Sequence, residues 1–162
     1  MEKVYYSRLP RLRSLSCGAR IAYIRQFRGM TQQCLGEAIG LEKEKVRNRV
    51  CRYEKDGRIP KRDRLVKIAE VLSVSEGMLR NYDFRDPTDF IYEVLWIEEL
   101  FPEMDIVLHK GNLLEYETCE CFSLFYKEWR KMQKNLQKGM ISRREYVEWK
   151  LTYVVPDERG SV

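Results

Sequence analysis

The chain has 162 residues, a length for one ordinary domain or two small ones. Its residues are 44% hydrophobic and 34% charged, which excludes a disordered tail, and no apolar run reaches the roughly 20 residues of a membrane-spanning helix. The net charge of +5 is unevenly held: residues 1–80 carry 19 Lys+Arg against 9 Asp+Glu (+10), and residues 81–162 carry 11 against 16 (−5), so a cationic half that suits nucleic acid is joined to an acidic half that does not.

The stretch 1–16 reads as a basic arm, with Lys3, Arg8, Arg11 and Arg13 around Pro10. Arms of this kind enter minor grooves or fray, and both remain open. From Cys17 to Arg28 a first helix is expected, with Ile21 and Ile24 inward and Gly29 as its left-handed terminator. Thr31 suits the cap of a second helix, with Met30 and Leu35 as a hydrophobic staple and Leu35, Ala38 and Ile39 inside; Gly40 ends it. A third helix carries Val46, Val50 and Tyr53 on one side, and Asp56-Gly57 breaks it. After Pro60 a fourth buries Leu65, Ile68, Ala69 and Leu72, and Ser75 is expected to cap a short fifth containing Met78 and Leu79.

Thr31-Gln32-Gln33-Cys34-Leu35-Gly36-Glu37-Ala38-Ile39-Gly40-Leu41, followed by Arg52-Tyr53-Glu54 and Arg58-Ile59-Pro60, resembles the XRE-type (phage-repressor-like) helix-turn-helix family over Arg20 to Leu79. The resemblance implies a mainly α fold with a five-helix lambda-repressor-like domain at 17–85, whose third helix enters the major groove of double-stranded DNA. The sequence departs from the family in having about four extra residues between Gly40 and Tyr53, close to one helical turn. It also has Glu42 where a Ser or Thr cap is expected. It resembles a subset of bacterial XRE-like regulators, often borne on mobile elements, with a lengthened third-helix segment and an appended C-terminal region.

That region, 86–162, reads as a small helical domain. Asp86 and Pro87 open a helix with a Phe90, Val94, Ile97 and Phe101 stripe, stopped by Pro102. Met104 to Lys110, the turn Gly111-Asn112 and Leu113 to Glu117 suit a β-hairpin. From Glu120 to Lys138 a helix is expected with the seam Phe122, Phe125, Trp129, Met132 and Leu136, ended by Gly139. Ser142 and Glu145 form a capping box for a last helix that buries some of Tyr146, Trp149 and Leu151. The seam suits partial burial inside the domain and pairing in a homodimer for the remainder.

Opposite Val46, Val50 and Tyr53, the third helix turns Lys45, Asn48, Arg49 and Arg52 outward, with Arg47 on the flank. Arginine can bond a guanine edge through two parallel N–H groups, and asparagine can do so for adenine, so these five are the candidate base readers. Thr31 with its helix amides suits a phosphate. The resemblance assigns Gln32 to a phosphate as well, places Arg58 and Lys61 near the backbone of the other strand, and pairs Arg25 with Glu54 as a structural ion pair.

Nothing reads as an enzyme: the single histidine, His109, has no nucleophile or phosphate loop to serve. Cys119-x-Cys121 with His109 offers three ligands for a soft metal and no fourth, so neither metal nor other cofactor is expected. Without a signal-like start the cytoplasm is the expected compartment, where Cys17, Cys34, Cys51, Cys119 and Cys121 would be free thiols. The sequence thus predicts a DNA-binding transcriptional regulator, a repressor. The rivals are an antitoxin-like protein whose acidic half holds a protein partner while the basic half autoregulates, and a sensor with a C-terminal ligand.

Overall fold

The computed structural model describes residues 9–42, 45–84, 86–102 and 120–156. Among these the fold is helical, with seven α-helices, a 3-10 turn at Glu76–Met78 and no strand. The chain divides into two compact units, Met1–Arg80 and Asn81–Val162. The hairpin expected at 104–117 lies outside the described residues, as do Lys3, Arg8, His109 and Cys119.

In the first unit, α1 (Cys17–Phe27) is capped by Ser16, whose side chain accepts from the Ala19 amide. It ends where Gly29 takes the left-handed conformation (φ +69°) that side chains avoid. In α2 (Gln32–Ala38) the Thr31 hydroxyl accepts from the Cys34 amide at 3.0 Å. The helix closes at Gly40, also left-handed (φ +73°). Helix α3 (Val46–Glu54) buries Val46, Val50 and Tyr53, and α4 (Arg62–Leu72) buries Leu65, Ile68, Ala69 and Leu72. With Ile21, Ile24, Phe27, Leu35 and Ile39 these make one apolar core.

The third helix ends before Asp56-Gly57 as expected, and Asp56 takes the left-handed turn after it (φ 56°). Asp tolerates this conformation, and here the carboxylate is held by the Ser16 hydroxyl (2.6 Å) and the Gly18 amide (2.9 Å). The fifth helix is only a 3-10 turn, Glu76–Met78, without a side-chain cap from Ser75. Met78 and Leu79 are nevertheless buried, because Arg20, buried at the centre of α1, donates to the Met78 and Arg80 carbonyls (3.1 and 3.0 Å). The described α-helical turns of α3 begin at Val46.

In the second unit, α5 (Pro87–Leu100) starts at Asp86, whose side chain accepts from the Thr88 amide. The helix is apolar nearly all round, and Ile91, Tyr92, Val94, Leu95 and Trp96 are all buried. The expected stripe was one of several equivalent ones: Phe90 and Ile97 are half-buried and Phe101 is exposed. Helix α6 (Glu120–Gln137) buries Phe122, Phe125 and Trp129, whereas Met132 and Leu136 are half-buried. Gln133 goes inside instead, donating to Glu98 at 3.0 Å. Helix α7 (Arg143–Thr152) carries the Ser142–Glu145 capping box and buries Tyr146, Val147, Lys150 and Leu151. Glu98 accepts from Gln133, Tyr146 and Lys150, and Lys150 also bonds Glu99, which Arg143 reaches at 2.6 Å. Burial pushes the Glu98 carboxyl up, but the Lys150 ammonium and these hydrogen bonds outweigh it, leaving its pKa below the ordinary value. The Tyr146 phenol is pushed up by burial and by the Glu98 charge, so it stays a donor.

Cys17, Cys34 and Cys51 are free thiols, but Cys121 is disulfide-bonded, against the expectation for it. Compartment reasoning does not see which sulfur atoms the fold brings within bonding distance. Among the described residues, no helix is long and apolar enough to cross a membrane.

Candidate nucleic-acid interface

The candidate surface is built on α3. Its inner residues are almost fully buried, Val46 at 1%, Val50 at 0% and Tyr53 at 6% exposure, which fixes the rotation of the helix about its axis. Lys45, Arg47, Asn48 and Arg52 are therefore exposed, and Arg49 is half-buried. Close packing on α2 sets the position of this face. Gly36 is the contact point: a Cβ there would lie 2.3 Å from a Val46 methyl and 3.1 Å from a Val50 methyl. The N-terminal anchor is as tight, since a Cβ on Gly18 would lie 2.2 Å from the Tyr53 carbonyl oxygen.

The end of α3 is tied to α1 and α2 by one carboxylate. Arg25 donates to both oxygens of Glu54, from Nε at 2.5 Å and from Nη2 at 3.1 Å, with side-chain exposures of 11% and 7%. Its third contact goes to the Met30 carbonyl at 2.6 Å. Gln32 Nε2 donates to Glu54 Oε2 at 2.8 Å. Arg25, Gln32 and Glu54 are therefore one cluster, and the Gln32 amide keeps a second N–H to offer. Because Thr31 Oγ1 accepts from Cys34, its own hydroxyl proton is left to donate.

Arg58 and Lys61 are exposed in the segment between α3 and α4, where the Arg58 amide bonds the Arg52 carbonyl at 3.2 Å. Between them Ile59 is 63% exposed, an apolar side chain in a cationic setting. Among the described residues, Lys45, Arg47, Arg49, Arg52, Arg58 and Lys61 form no ion pair. Other cations of this unit are engaged inside it. Arg28 donates to the Leu72 and Ser73 carbonyls (2.7 and 3.0 Å), and Arg64 donates to the Ile39 carbonyl.

A pocket of about 410 Å³ is lined by the Arg25–Glu54 pair together with Arg11, Arg13, Gln32, Lys55 and Asp56. No sequence motif marks Lys55, and Arg11 and Arg13 stand in the sequence only as part of a basic arm. No periodicity could bring them together, because the chain separating Arg13 from Lys55 includes three helices. A cation directly after the paired Glu54 was the one available signal. Compared with protein-family models, curated proteins and solved structures, the chain matches none.

Proposed function

We propose that the chain is a cytoplasmic, sequence-specific double-stranded-DNA-binding transcriptional regulator of the XRE type, a repressor. Its first unit would be a lambda-repressor-like domain in which α2 and α3 form the helix-turn-helix. The observation that supports this best is the outward face of α3. Lys45, Arg47, Arg49 and Arg52 stand there with no carboxylate partner among the described residues, on a helix whose opposite face is locked in the core. An ordinary solvated helix mixes both signs of charge along its surface, since opposite charges three or four residues apart stabilise it.

In this reading Arg47, Arg49 and Arg52 fork onto guanine edges, Asn48 onto adenine, and Lys45 serves the same groove. Thr31, Gln32, Arg58 and Lys61 hold phosphates on either side and set the docking angle. One such unit reads only a few base pairs, so two copies of the chain would occupy half-sites about one helical turn apart. Of the α6 seam, half-buried Met132 and Leu136 remain for that pairing, with exposed Leu124 and Met140.

Binding of the full chain to fragmented genomic DNA at increasing salt tests the proposal. The expected result is retention of a small set of related sequences, with log K falling by about 0.9 per neutralised phosphate for each decade of salt. Failure to shift any genomic fragment at low salt would refute it.

A further inference from the structure

The pocket beside the Arg25–Glu54 pair is not part of the α3 face, and its charge is unbalanced. Its lining includes four cations, Arg11, Arg13, Arg25 and Lys55, against two carboxylates, Glu54 and Asp56. Both carboxylates are already engaged: Glu54 by Arg25 and Gln32, Asp56 by the Ser16 hydroxyl and the Gly18 amide. Arg11, Arg13 and Lys55 are exposed and form no ion pair or side-chain hydrogen bond among the described residues. Three uncommitted cations thus line one concavity of about 410 Å³, and Gln32 lines it too. Like charges lining one concavity repel one another, and an anion bound among them relieves the repulsion.

We propose that this pocket binds the phosphodiester backbone of duplex DNA beyond the phosphate held by Gln32, through Arg11 and Arg13 on one side and Lys55 on the other. The assignment rests on the DNA-binding reading above and extends it: the segment before α1 grips the backbone and does not read a minor groove. Continuity with Gln32 favours DNA over a free phosphate compound, because Gln32 lines the same pocket and a strand held there has these cations beside it. The contact carries no sequence information, so it lengthens the footprint without narrowing the choice of site.

The test uses the full chain, its R11A/R13A and K55A variants, and K131A, an exposed change on α6, as control. A selected site is flanked by either A·T or G·C pairs. The side chains removed are exposed and hold no hydrogen bond or ion pair among the described residues, so all variants should keep the wild-type helical signal. R11A/R13A should lower the salt slope by about 1.8, twice the ~0.9 for one phosphate, and K55A by about 0.9. Both should weaken A·T-flanked and G·C-flanked DNA by the same factor, while K131A changes nothing. Unchanged slopes and affinities in a wild type that binds DNA would overturn the pocket assignment and leave the DNA-binding reading standing. A loss confined to A·T flanks, abolished by a minor-groove drug, would overturn it in favour of groove insertion. Stabilisation by inorganic tripolyphosphate alone, lost in R11A/R13A, would overturn it in favour of a free phosphate ligand. A wild type that binds no DNA would defeat the functional proposal itself.

Discussion

Arg25 and Arg49 carry the same charge and do opposite things with it. Arg25 is held by Glu54 and the Met30 carbonyl, while Arg49 has no partner among the described residues. Arg20, Arg28 and Arg64 likewise donate to backbone carbonyls, so the +10 of the basic half overstates what can face an anion. If the outward set reads bases, Arg49→Ala or Arg52→Ala will cost about 1–3 kcal/mol at the preferred site and relax the choice at one base position. Lys61→Ala will weaken preferred and random DNA alike. Equal losses for both kinds of change, measured by titration against a site and its scrambled copy, would rule out α3 as the reading helix. The outward set was legible because Val46, Val50 and Tyr53 are spaced at helical period and leave one possible outer face. Arg20 was not: the carbonyls it serves, on Met78 and Arg80, lie 58 and 60 residues further along the chain.

At the scale of elements, most helices were announced by their ends. Thr31, Asp86 and Ser142 cap, and Gly29, Gly40 and Gly139 take left-handed turns, because these residue types satisfy or tolerate what a helix terminus demands. Faces were harder to assign. The apolar surface of α5 continues around the helix, so its own pattern could not select Ile91 and Leu95 over Phe90 and Ile97. The fifth helix shrank to one turn because tertiary bonds from Arg20 hold its residues without helical propagation. Gly36 sets the approach of α2 to α3, and its sequence position gave no hint of this. Gly36→Ala is expected to destabilise the protein by about 1–3 kcal/mol, as overpacking does, although alanine is the better helix former. A thermal melt showing a gain in stability would contradict that packing.

The whole molecule offers a means of observing its units separately. All three tryptophans, Trp96, Trp129 and Trp149, lie in the second unit, so indole fluorescence follows that unit alone. Glu98 has a lowered pKa, so it contributes stability that is complete above the unfolded carboxyl value near ~4.3 and is lost as pH falls through the folded value. The indole-monitored melting temperature should fall on acidification below about pH 4, and Glu98→Gln should flatten that dependence. A parallel acid response in wild type and variant would show that Glu98 is not its source. Pairing of copies is a further expectation at this scale, checked by sedimentation of the full chain at micromolar concentration. A monomer with a single asymmetric DNA site would refute it. The division of charge between the halves was legible from composition, whereas the Glu98–Glu99–Lys150 network was not, because a lysine in a charged helix reads as surface until its partners are known.

The α3 face has one more consequence, for how such a protein changes over generations. Arg47, Asn48, Arg49 and Arg52 contribute no hydrogen bond or ion pair to the fold among the described residues, and exchanges of such side chains typically shift stability by about 0.5 kcal/mol or less. Arg25 and Glu54 cannot be exchanged one at a time, since either change strands a largely buried charged partner. If the α3 face reads bases as proposed, target choice can drift on an inherited scaffold: descendants of this chain would acquire new binding sites by rewriting four positions of that face while the Arg25–Glu54 pair passes on unchanged.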